Sequence, residues 1–262
     1  MMRIILLVLL VVFGSSSGAS ALPSNNPITA GLVAAYEFSG NADDVSGNGN
    51  NGVVTGATLT TDRFGNVNAA YSFDGVDDYI ISSSTFSQQT QGSIAFWFRD
   101  TSANGAGGTF VASRSTTGYE NGDVIIGNNE GGDGFRNIYW GDGHWNGWEG
   151  GLTPTINSWH HSVLTWDTTA TSHLYVDSIE ITPAAPAFAI FAGLPLVFGR
   201  DQVFHFGSWV TDFATGSIDD AYIYNRALSP AEVSTLYSTV PEPSTALLLG
   251  LGLVGMAARR RV

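Results

Sequence analysis

Between residues 32 and 224 the apolar positions fall in short runs, each bounded by Gly, Asn, Asp or Ser. Runs of this length, rich in aromatic and β-branched residues, predict strands rather than helices. The pattern places strands over 32–38, 71–73, 79–81, 93–99, 109–113, 124–126, 135–140, 159–166, 174–176, 179–181, 196–199 and 216–224. Alternation is cleanest over 159–166. Trp159, His161, Val163 and Thr165 share one face there, and His160, Ser162, Leu164 and Trp166 the other, as a period of two requires. His161 is expected on the inward face, beside Trp159. Asp177-Ser178 predicts a two-residue hairpin and Asp74-Gly75 a hairpin-type turn, while 43–52, DDVSGNGNNG, reads as a loop of turn formers. Ser229-Pro230-Ala231-Glu232 marks the one clear helix, over 230–237, with Ser at N-cap, Pro at the first helical position and Glu completing a capping box. Many short strands without alternating helices predict an all-β, two-sheet antiparallel sandwich over 31–238, closed by that helix.

The two ends follow another pattern. Arg3, the apolar run 4–13 and the small residues Ala19-Ser20-Ala21 have the layout of a secretory signal peptide, 1–21, cleaved after Ala21. Residues 22–30 read as a linker. At the other end, 239–262, Pro241-Glu242-Pro243 precedes an uncharged apolar run and then Arg259, Arg260 and Arg261. The run is short for a membrane span. The arginines behind it and the glycines within it nevertheless predict a transmembrane helix over 245–258, with its C-terminal side in the cytoplasm. Two prolines hold the segment before it extended. In that order these pieces resemble the PEP-CTERM sorting signal of Gram-negative bacteria. The resemblance implies an exosortase as partner and a route from the inner membrane to the cell surface or beyond.

With both end segments removed, the body carries 22 acidic residues against six arginines and no lysine. Such a surface repels phosphate backbones, so nucleic acid is excluded as a partner, while neutral glycans, proteins and divalent cations are not. The chain has no cysteine, which removes disulfides and thiolate chemistry from consideration.

Six blocks then recur in a familiar order: Gly31-Leu-Val-Ala-Ala-Tyr-Glu-Phe, Asp44-Val-Ser-Gly-Asn-Gly-Asn-Asn-Gly, Tyr71-Ser-Phe-Asp-Gly-Val-Asp-Asp-Tyr, Trp159-His-His-Ser-Val, Leu174-Tyr-Val-Asp and Gly216-Ser-Ile-Asp-Asp-Ala-Tyr-Ile-Tyr-Asn-Arg-Ala-Leu-Ser. They resemble the laminin-G-like, concanavalin A-like jelly-roll domain. Ser178 stands where that family's hairpin has Gly, and 105–151 is longer and richer in glycine and aromatics than a minimal member. The resemblance implies a jelly roll that binds carbohydrate or protein. The fold alone does not set activity.

Three kinds of chemistry bear on the function of such a domain. For catalysis, no Glu-x-Asp-x-x-Glu strand is present, so the paired carboxylates of a sandwich glucanase are missing and a non-enzyme is expected. For metal, calcium requires oxygens from carboxylates and carbonyls on a turning loop. Asp43, Asp44 and Asn48, joined by Asp219 from the last long strand, form the expected calcium set, the alternative being that the acids only cap turns and bond to backbone. For sugar, Tyr139, Trp140, Trp145 and Trp148, with Asp142 and His144 between them, have the composition of a stacking platform. The alternative is that some of these rings belong to a core strand. The expected function is an exported, non-catalytic module binding carbohydrate or an envelope protein. A purely structural or adhesive protein is the next reading, and a glycoside-active enzyme the third.

Overall fold

The turn-limited runs become eighteen strands and one helix among the described residues: β1 (Leu32–Tyr36), β2 (Gly52–Thr55), β3 (Thr58–Thr60), β4 (Ala70–Asp74), β5 (Tyr79–Phe86), β6 (Gly92–Asp100), β7 (Gly108–Ser113), β8 (Val124–Asn128), β9 (Ile138–Gly141), β10 (Trp148–Glu149), β11 (His160–Trp166), β12 (Thr171–Val176), β13 (Ile179–Glu180), β14 (Ala185–Pro186), β15 (Leu194–Phe198), β16 (Arg200–His205), β17 (Ser208–Phe213), β18 (Thr215–Tyr224) and α1 (Pro230–Ser238). The computed structural model describes residues 25–87, 89–103, 107–113, 124–128, 138–141, 148–149, 154–167, 171–181, 185–186, 193–205 and 208–239. The expected signal segment 1–21 with Ala19 and Ala21, the motif Pro241-Glu242-Pro243 and the expected membrane run 245–258 lie outside them. Among the described residues no helix is long and apolar enough to cross a membrane.

Pairing is antiparallel throughout the described sheets. Nine strands form one sheet in the order β13-β12-β11-β6-β18-β4-β3, with β1 against β18 and β14 against β12. Seven form the other, β10-β9-β8-β7-β15-β5-β2, and β16 and β17 make a separate two-stranded ribbon. The sheets face each other across one core. Phe96, Phe98, Leu164, Trp166, Ile218 and Ile223 from the first meet Ile80, Phe110, Val111, Ile126 and Phe198 from the second. Ring contacts cross the gap, Phe98 to Phe110 at 5.0 Å and Tyr36 to Phe198 at 5.2 Å. Burying each such ring contributes on the order of 2 kcal/mol.

The nine-stranded sheet is covered on its outer face as well. Ala35, Ala95, Val163, Tyr175, Tyr222 and Tyr224 pack there under Ile28, Leu228, Val233 and Leu236. This corrects the expected placement of His161. It is buried, but on the face beneath α1, while His160, Ser162, Leu164 and Trp166 share the face turned to the other sheet. Both faces exclude water, so burial alone could not tell them apart.

α1 forms as its capping box requires. Ser229 accepts from the Glu232 N–H, and Glu232 reaches back to the Ser229 N–H. Arg226 forks onto the same carboxylate at 2.6 and 3.0 Å and, with Ser229, holds it down at about 2. At the β12–β13 turn Asp177 and Ser178 both take positive φ, 51° and 64°, the type I′ geometry whose twist matches the flanking strands.

Candidate functional site

The first loop is built around Asp44. Its Oδ1 accepts the Ala35 and Ser46 N–H groups, and its Oδ2 the Asn50 N–H, all at 2.9 Å. A carboxylate accepting three backbone donors holds a loop closed against a strand. Asn48 turns its amide nitrogen, not its oxygen, into the fold and donates to the Val33 carbonyl at 3.0 Å. Asp43 is exposed, with its own N–H donated to Asn41 Oδ1.

Asp219 stands elsewhere, on β18 beside Arg63. Alternation would place Asp219 and Asp220 on opposite faces of β18. The β18–β6 register instead slips between Asp219 and Tyr222, and Asp220 adopts φ 42°. This bulge turns both carboxylates to the outer face, as bulges do when they re-aim a side chain. There Arg63 Nη1 lies 2.6 Å from an oxygen of each, and Asn25 Nδ2 donates to Asp220 Oδ1 at 3.2 Å. Arg63 is itself sandwiched between the Phe64 and Trp97 rings, 4.2 and 4.7 Å from their centroids. Burial raises both carboxyl groups above the usual carboxylate range, and Arg63 offsets this in part. His161, across Trp97, is pushed down to about 3 by burial and by Arg63 and stays neutral. Arg63 Nε, His161 Nδ1 and Tyr222 Oη find no partner among the described residues.

Asp43, Asp44, Asn48 and Asp219 therefore do not form one donor set. Asp44 already accepts three backbone amides, Asn48 turns nitrogen into the fold, and Asp219 is held by an arginine, so these residues do not come together around a calcium ion as arranged. The close carboxylate trio among the described residues is Asp74, Asp77 and Asp78, with oxygens within 4.8 Å of one another. It organises the β4–β5 turn: Asp74 Oδ1 accepts the Val76 N–H at 2.8 Å and Asp78 Oδ2 accepts the Asp74 N–H at 3.0 Å. The FDGVDDY block signalled this turn in the sequence. No sequence signal pointed to Arg63, because its partners lie 156 and 157 positions away and reach it only through the bulge.

His160 is the described histidine most like a catalytic base, with Nδ1 2.8 Å from Asp177 Oδ2, an interaction that raises its pKa. Its Nε2, however, accepts the Thr155 N–H at 3.0 Å. With both nitrogens engaged, the ring ties the 155–160 loop to the hairpin turn rather than facing a substrate.

The expected aromatic platform divides. Trp140 pairs with Trp148, and the register continues through Ile126, Val111 and Phe198 to Ile80. Residues directly opposite one another share a face, and Ile80, Phe198, Val111 and Ile126 are core. Trp140 and Trp148 thus occupy register positions at the end of the inward row. Tyr139, paired with Glu149 and Gly127, holds a position on the other face. Asp142, His144 and Trp145 lie outside the described residues.

Comparison with known proteins agrees with this architecture. The profile of the concanavalin A-like lectin/glucanases superfamily matches residues 73–234, and that of the PEP-CTERM protein-sorting motif matches 239–261. No curated protein sequence matches the chain. Among solved structures, domain 4 of AbnA, a GH43 extracellular arabinanase from Geobacillus stearothermophilus, in complex with arabinotriose, is similar at a TM-score of 0.59 and 21% identity, over 80% of this chain and 99% of that one. The botulinum neurotoxin serotype D ligand binding domain in complex with N-acetylneuraminic acid gives 0.55 at 16% identity, over 82% and 52%. The chain thus spans about half the length of that toxin fragment. A heptameric SAP-like pentraxin from Limulus polyphemus gives 0.51 at 15%, over 64% and 80%. These likenesses are of fold. With its two packed sheets, its profile match over most of the body and the sorting motif behind α1, the chain belongs to the concanavalin A-like lectin/glucanases superfamily and ends in a PEP-CTERM tail.

Proposed function

We propose that the protein is an exported, non-catalytic glycan-binding module displayed at the surface of a Gram-negative cell, with its tail read by an exosortase. The observation that carries this reading is the junction at residue 239. α1 ends at Ser238, its C-cap is Thr239, and the sorting motif begins at that same residue. Tyr237 in the last turn stacks on Trp97 at 5.6 Å with ring planes 13° apart. The body is thereby fixed to the start of its own address, an arrangement suited to presenting a folded domain rather than freeing one on a long linker. The signal segment 1–21 supplies export, and 245–258 holds the chain in the inner membrane until it is processed.

Glycan as ligand is supported by the likeness to the arabinanase domain, solved with arabinotriose, and by the acidic, lysine-free body. The engaged nitrogens of His160 and the Arg63-bound aspartates support a binding role over turnover. The intact mass of protein recovered from cell surfaces tests the sorting half of the reading. Loss of 1–21 and a cut near Pro241-Glu242-Pro243 are expected, and an uncut chain would oppose exosortase processing. Glycan-array binding by the full chain tests the other half, and a chain that captures no glycan would oppose it. Release of reducing ends from a bound polysaccharide would overturn the non-catalytic assignment.

A further inference from the structure

A groove lies on the outer face of the nine-stranded sheet, where β11, β12 and β13 meet residues 227–230 leading into α1. It encloses about 250 Å³, below the roughly 300 to 1,000 Å³ of sites for drug-sized ligands. Half open to solvent, it has room for one sugar ring. The strand register explains its chemistry. Thr165 pairs with His173 and Tyr175 with Glu180, so a hydroxyl, an imidazole, a phenol and a carboxylate stand in adjacent rows of one face. Asp167 contributes a second carboxylate. Across from these groups the wall is apolar, formed by Ala227, Leu228 and Pro230. His173 Nδ1 is 2.6 Å from Glu180 Oε1, and its ring lies 6.5 Å from that of Tyr175, so one wall is already ordered. The remainder of this outer face is closed by α1 and residues 25–30 packing on it.

We propose that this groove binds a single neutral or amine-bearing sugar ring, an assignment that rests on the glycan-binding reading above and gives it a site away from the β9–β10 aromatics. A sugar ring has an apolar C–H face and a hydroxyl rim, which match the apolar wall and the polar strand face. Two carboxylates with one imidazole leave the groove acidic. Hydroxyl and ammonium donors satisfy it, and a uronate or sulfated ring is repelled.

The test uses the full chain in a detergent without sugar groups, titrated calorimetrically with the methyl glycosides of glucose, glucosamine and glucuronic acid. The first two are expected to bind saturably and the glucuronide about tenfold more weakly or not at all. Glu180→Ala removes a half-exposed acceptor, and Ala227→Trp fills the groove from the apolar side. Each is expected to weaken binding by about tenfold or more, with the thermal melt reporting that the fold is kept. Binding retained in both variants and lost in Trp145→Ala would overturn the groove while sparing the glycan reading. So would wild-type array binding without any response to the three glycosides. Absence of binding on the array as well would overturn both.

Discussion

Asp77-Asp78 and Asp219-Asp220 are two pairs of neighbouring aspartates placed in opposite surroundings. The first sits in the β4–β5 turn, where Asp74 and Asp77 are exposed and only Asp78 is buried. Water and backbone N–H groups absorb its charge. The second lies on β18 between Arg63 and Asn25, where both acids are at most 2% exposed and share one guanidinium. Identical side chains thus cap a turn in one place and form a buried cluster around one guanidinium in the other. The difference comes from one bulge residue, Asp220 at φ 42°, which aims consecutive carboxylates the same way.

Arg63→Leu should have the largest effect. It leaves two buried acids without a cation, and breaking a buried pair from one side costs about 3–5 kcal/mol. Denaturant unfolding is expected to show that loss. Adding Asp219→Asn and Asp220→Asn to the same chain is expected to restore part of it. A loss below about 1 kcal/mol for Arg63→Leu would mean the acids are already fully neutral.

Acidity is the next lever. The folded Asp219 carboxyl is raised, first by burial and then by Asp220, from 3.8 to about 8. A raised carboxyl binds more protons folded than unfolded, so stability falls as pH rises from about 4 toward 8. Within that window the loss is at most on the order of 1 kcal/mol per pH unit. Asp219→Asn is expected to flatten this decline in melting curves taken across the window, and Asp77→Asn to leave it in place.

In the exposed turn a single contact is at stake. Asp78→Ala removes the acceptor of the Asp74 N–H, and the loss of one such bond is worth about 1 kcal/mol. Its carboxylate also packs against Gly56, whose φ of +73° suits glycine. Gly56→Ala is therefore expected to cost at least as much as Asp78→Ala.

The same contrast explains what the sequence disclosed. Local devices could be read directly. The FDGVDDY turn, the Ser229–Glu232 capping box, the Asp177-Ser178 hairpin and the two-residue alternation of 160–166 all act within a few positions, where side-chain chemistry and backbone geometry are tied. β2 and β3 were missed because GVVT and TLT are short and edge-lying, and the β16–β17 ribbon because RDQVFH and SWVTDF stand outside both large sheets. Arg63, Asp219 and Asp220 were illegible as a unit. Their meeting requires the bulge and the return of the 61–68 loop, neither of which has a local signature. The groove at His173 and Glu180 escaped for the same reason, since its apolar wall comes from residues 227–230.

The smallest effect separates the two acid pairs by salt. Asp74, Asp77 and Asp78 keep their oxygens within 4.8 Å at the protein surface, so their mutual repulsion is real but screened by solvent. Asp77→Asn is expected to raise Tm by on the order of 1 °C at low ionic strength. That gain should vanish at 1 M salt, where the Debye length shrinks to about 3 Å. The pH-dependent decline governed by Asp219 should persist at the same salt, because mobile ions do not reach a carboxyl only 2% exposed. A far larger rise on adding calcium, lost in Asp77→Asn, would make the turn an ion site and overturn its assignment as a simple cap. Salt sensitivity at both pairs would instead mean that water reaches Asp219, and the contrast between a wetted turn and a sealed cluster would fail.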